Sequence, residues 1–142
     1  MNRRTFLGHA CVAALAGLTL TNSARAEVFG IEQPQLSALD KVVGTTMEAY
    51  NKKNWKGFYA AWADMMKGIQ TEQAFNSLYV NMYHRDYGTL KSRTIDESRS
   101  TFSEVNGLIV YKAVFSKKSG SLAVNFFKEN GQYKIQQVQI NP

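Results

Sequence analysis

The sequence predicts an α+β domain, with helices first and a curved antiparallel sheet second. Apolar residues recur at helical spacing from Leu36 to Tyr83, and the period changes to two after Tyr87-Gly88. Turn signals at Lys117-Lys118-Ser119-Gly120 and Asn130-Gly131 then cut the second half into strands. The chain has 142 residues, 44% apolar and 12% aromatic, which supplies one hydrophobic core and excludes a second domain.

Residues 1–26 read as an export segment. Asn2-Arg3-Arg4-Thr5-Phe6-Leu7 precedes a weakly apolar stretch, and Ala24-Arg25-Ala26 supplies the small residues that a signal peptidase reads. The paired arginines resemble the twin-arginine export signal. The expectation is cleavage after Ala26, a periplasmic domain spanning 27–142, and no membrane association after cleavage. Cys11, the only cysteine, falls inside the removed segment, so the domain has no thiol for disulfides, catalysis or metal binding. The formal charge of +6 includes Arg3, Arg4 and Arg25; without them the remaining net charge is +3. That is a solubility charge and argues against a nucleic-acid partner.

The first helix is expected to begin at Pro34, a residue suited to a first turn. It buries Leu36, Leu39, Val43, Met47 and Tyr50, whose spacings of three and four residues define one face. After the polar break at 51–54, Asn54 caps a second helix carrying Trp55, Phe58, Tyr59, Trp62, Met65, Met66 and Ile69, which ends at Gly68. Thr71 caps a third with Phe75, Leu78, Tyr79, Met82 and Tyr83 on its face. A strand follows from Thr89 to Glu97, continuing toward Phe102. The next runs from Leu108 to Ser116 with Ile109, Tyr111, Ala113 and Phe115 on one side, and another from Ser121 to Lys128 with Leu122, Val124 and Phe126 together. In the last strand, Tyr133 and Ile135 are out of phase with Val138 and Ile140, which predicts a bulge at Gln136-Gln137 and hence a bent sheet.

Three stretches carry a family resemblance. They are Asn54-Trp55-Lys56-Gly57-Phe58-Tyr59, Tyr87-Gly88-Thr89-Leu90-Lys91-Ser92, and the closing Phe127 to Ile135 run followed by Ile140-Asn141-Pro142. Through them the segment from about Leu39 to Pro142 resembles small bacterial domains of unknown function with the nuclear transport factor 2-like, or cystatin-like, fold. The resemblance implies a cone of three N-terminal helices packed on a curved antiparallel sheet of about four strands, enclosing a pocket.

His84 is the only histidine outside the export segment, and some isomerases and dehydratases of this superfamily use Asp, His or Tyr inside the cone. Asp64, Tyr83, His84 and Asp86 are therefore the candidate acid-base residues, although none lies in a motif of those enzymes. The aromatic and methionine stripe has two readings, as core between helices and sheet or as pocket wall. Under the second, Tyr59, Trp62, Met66 and Tyr83 are the ligand-binding candidates for a small apolar or amphipathic molecule. On the sheet's outer side, Val110, Val114 and Phe127 are expected to form a homodimer interface. No cofactor is expected, because one histidine without cysteines makes no N/S metal site. The preferred function is binding without chemistry, with an isomerase- or dehydratase-like enzyme and an accessory subunit as the alternatives.

Overall fold

The computed structural model describes residues 27–142; the expected export segment, with Cys11 and the arginine pair, lies outside the described residues. A two-stranded hairpin, β1 (Glu27–Val28) and β2 (Ile31–Glu32), leads into α1 (Gln33–Asn51). Pro34 sits in the first turn of α1, and the helix buries the predicted face of Leu36, Leu39, Val43, Met47 and Tyr50. It ends where Lys53 takes a positive φ of 57° and Asn54 N–H donates to the Ala49 carbonyl at 2.8 Å. Asn54 then caps α2 (Trp55–Tyr59) by accepting from Gly57 N–H at 3.1 Å.

The second expected helix does not run to Gly68. It stops at Tyr59, and the chain crosses to a 3-10 turn, Asp64–Ile69: Ala60 and Ala61 form a turn, Trp62 makes an isolated parallel bridge with Ile135, and Ala63 is extended. The crossing segment lies beside the edge of the last strand, where Ala63 N–H donates to the Ile135 carbonyl at 2.8 Å and Ile135 N–H to the Ala61 carbonyl at 2.9 Å. Two good backbone bonds to a sheet edge outweigh the helix preference of an alanine-rich stretch.

The third expected helix is a continuous rod in three parts. α3 (Glu72–Phe75), capped by the Thr71 hydroxyl, passes into a π-helix (Asn76–His84) and then α4 (Arg85–Tyr87). Residues four apart lie on one face of such a rod. Phe75, Tyr79, Tyr83 and Tyr87 are spaced four apart and form a ladder, with successive ring centroids 5.6, 5.5 and 6.3 Å apart.

The sheet has five strands: β3 (Leu90–Ile95), β4 (Thr101–Phe102), β5 (Asn106–Phe115), β6 (Ser119–Glu129) and β7 (Gln132–Asn141). The order is β3-β5-β6-β7, all antiparallel, with β4 also pairing β5. The strand expected to continue through Phe102 is interrupted by a 3-10 turn at Glu97–Arg99. Asn130 and Gly131 take φ of 53° and 79°, as the predicted hairpin turn requires. The predicted bulge is present, since Asn125 pairs with Gln137 and Phe126 with Ile135, leaving Gln136 as the extra residue. The inward residues of β5, β6 and β7 are buried against α1 and the aromatic ladder. Asp40 fastens α1 to the sheet, accepting from Tyr111 Oη at 2.8 Å and from Arg93 Nη2 at 3.3 Å.

The outer-face expectation is corrected in one respect. Val110 is 3% exposed, because its N–H donates to Ser100 Oγ and its carbonyl accepts from Asp96 N–H, which holds the 96–100 segment against it. Val114 is exposed, but it pairs with Ser119 at one end of the β5–β6 ladder while Phe127 pairs with Asn106 at the other. Eight residues of strand separate Val114 from Asn106, roughly 27 Å, so the three do not form one patch.

Candidate functional site

A cavity of about 550 Å³ opens where the 3-10 turn, the π-helix and the bulge of β7 meet. Tyr59, Trp62 and Tyr79 form its aromatic side, and Met66, Ile69 and Leu78 its aliphatic side. The remaining polar wall is Asn125, Gln136 and Gln137, three neutral carboxamides.

Each wall is held by backbone chemistry. The 3-10 turn is anchored at its start by Glu129, whose carboxylate oxygens accept from Asp64 N–H at 3.0 Å and Met65 N–H at 3.2 Å. The Gln70 amide closes its other end onto the Ala63 carbonyl at 2.9 Å. Tyr79 is fixed by donating its hydroxyl to the Val138 carbonyl at 2.8 Å, and burial raises its pKa strongly, so it stays a neutral donor. Burial likewise raises the pKa of Tyr59, whose hydroxyl has no partner among the described residues. Trp62 is 5% exposed and packs tilted against Phe58 and edge-on to Tyr59, and its indole N–H is buried with no acceptor among the described residues.

Three of the four ligand-binding candidates, Tyr59, Trp62 and Met66, meet in this cavity. Tyr83 does not line it: its ring stands between Tyr79 and Tyr87 in the ladder, beyond the cavity-lining Tyr79. The acid-base candidates are also apart from it. Asp64 is exposed at the start of the 3-10 turn, with its backbone N–H engaged by Glu129. Asp86 is exposed and paired with Arg85 at 2.8 Å, the hydrogen bond that holds its carboxyl below the usual range. His84 stacks on Tyr50, with ring centroids 4.2 Å apart, and its Nε2–H reaches the Tyr50 carbonyl at 2.7 Å. It locks the end of α1 to the π-helix and faces no cavity group.

Burial lowers the pKa of His84 from its ordinary 6.5; nearby Lys53 and Lys117 add to this, while the bond to the Tyr50 carbonyl opposes it. The folded chain therefore favours the neutral ring. Above the unfolded value the full contribution is present, and as pH falls below it the unfolded chain takes up a proton that the folded chain resists. Melting temperature is expected to fall between about pH 7 and about pH 5.5, and His84→Gln is expected to flatten that interval. An unchanged slope in the variant would assign the pH response to other groups.

Sequence reading missed Asn125, Gln136 and Gln137 as site residues. The out-of-phase apolar residues around Gln136-Gln137 marked the bulge, and two adjacent glutamines at a bulge were the available signal.

No family model and no curated protein matches the chain. Among solved structures it is similar to an NTF-2-like protein of unknown function from Shewanella oneidensis, with a TM-score of 0.50 and 13% identity over 75% of this chain and 98% of that one. A DUF4783 family protein from Bacteroides uniformis aligns with a TM-score of 0.46 and 11% identity, over 69% of this chain and 94% of that one. The likeness to the Shewanella protein gives the chain an NTF-2-like α+β fold.

Proposed function

We propose that this domain binds a small, uncharged, amphipathic molecule without transforming it. The single observation that supports this is the chemistry of the cavity wall, which is aromatic and aliphatic on two sides, carboxamide on the third, and free of carboxylate, imidazole or ammonium groups. General acid-base catalysis needs a titratable group within hydrogen-bond reach of the reacting atoms. Asp64, His84 and Asp86 are spent on the turn, the helix junction and an exposed ion pair, and the titratable groups on the wall itself are the Tyr59 and Tyr79 hydroxyls, whose pKa values burial raises away from neutrality.

The neutral naphthalene ketone prodan tests the reading. It is expected to bind saturably with a blue-shifted emission. Ala74 lines the cavity through a half-buried side chain, and only its backbone N–H is used in the Thr71 cap. Ala74→Phe should therefore fill the space, keep the fold and weaken prodan binding by about tenfold or more. Saturable binding that is indifferent to Ala74→Phe, or no binding by the wild type, would overturn the reading.

A further inference from the structure

The geometry points to an N-substituted amide as the ligand's head group, with Gln136 as the residue that selects it; this inference rests on the binding reading above. In a regular strand, adjacent side chains point to opposite faces. The bulge suspends that rule, so Gln136 and Gln137 both line the cavity beside Asn125, the cross-strand partner of Gln137. Three carboxamides thus converge on one wall, and none has a protein partner among the described residues or is sealed from solvent.

A carboxamide both donates and accepts, so it matches another amide in both roles. An ester of the same shape offers no N–H and leaves the glutamine oxygen unmatched. A carboxylate offers no donor either, and it would enter a wall without a cation. It would also approach Glu129, held at the start of the turn that supplies Met66 and Ile69. Lys67 on that turn is exposed and outside the lining.

Gln136 and Asn125 also line a second cavity of about 200 Å³, on the side of Phe102 and Leu108. Gln136 and Asn125 therefore stand between the two spaces, and the proposed amide sits at that boundary. Its acyl chain lies in the larger space among Met66, Ile69 and Leu78, and its nitrogen substituent in the smaller. This shape describes an N-acyl amine.

Calorimetry with N-ethyloctanamide, ethyl octanoate and octanoate on the same protein decides the matter. The amide is expected to bind about tenfold or more tightly than the other two, the scale of one buried hydrogen bond. Gln136→Met, which keeps side-chain length without the amide, should remove the difference in affinity between N-ethyloctanamide and ethyl octanoate, with melting unchanged. Gln137→Met is the second variant should the first fail to fold, with a partial loss of preference expected. Equal binding of amide and ester, or a preference that survives both substitutions, with prodan still bound, would overturn the head-group assignment and leave the cavity reading standing. Failure of prodan and all three chains to bind would remove both.

Discussion

Phe58→Ala is expected to cost about 3–5 kcal/mol of folding stability, the range for emptying a large aromatic site in a core. Phe58 is 0% exposed and is the hub of the helical side of the core. Its ring centroid lies 5.3 Å from Tyr59, 5.6 Å from Trp62, 5.1 Å from Phe75 and 4.4 Å from Tyr79. α2 is only five residues long and has little helical stability of its own, so its packing holds it in place. The neighbouring rings are fixed elsewhere, Tyr79 by its bond to Val138, so the space cannot collapse readily. Urea unfolding measures the effect; a loss below about 1 kcal/mol would mean that the core relaxes around the missing ring.

The second large effect separates ring from N–H at Trp62. Trp62→Ala removes a wall shared by core and cavity and is expected to cost about 3–5 kcal/mol while enlarging the binding space. Trp62→Phe keeps an aromatic wall and deletes the buried indole N–H that has no acceptor among the described residues. Because an unsatisfied buried donor carries a desolvation cost of about 1–3 kcal/mol, its removal offsets the lost ring area. Trp62→Phe is therefore expected to melt within a few degrees of the wild type and to bind prodan with similar affinity. Melting and prodan titration on both variants check this. A Trp62→Phe variant as damaged as Trp62→Ala would mean that the indole makes an indispensable contact.

The sequence disclosed most of the fold because its signals are local. The four-and-three spacing of α1, the Asn130-Gly131 turn and the phase slip at Gln136 each express backbone geometry within a few residues. The break at 60–63 was not legible, since Ala60-Ala61-Trp62-Ala63 is a helix-forming run and the bonds that take it out of the helix come from Ile135, distant in sequence. The π-helix lay behind a signal visible only in part. The strict four-residue repeat of Phe75, Tyr79, Tyr83 and Tyr87 fits a widened turn, yet a window of helical spacing accepts it as ordinary. For the site, the aromatic stripe was readable but its partners were not. Nothing in Asn125 or Gln136 marks it as a wall until the register of β6 and β7 is known.

The crossing segment at 60–63 has a consequence for how copies of the chain meet. β7 is an edge strand, and unpaired edge groups are templates for strands from other molecules. Here Ala61 and Ala63 occupy the outward N–H and C=O of Ile135, and the Tyr79 hydroxyl takes the Val138 carbonyl. The opposite border is divided between β3 and β4, with the 3-10 turn between them and Lys91 and Arg93 along β3. Neither border offers a long flat run of free backbone. On the β7 side this cover shortens the template for sheet-to-sheet association, and Tyr79, a wall of the cavity, supplies part of it.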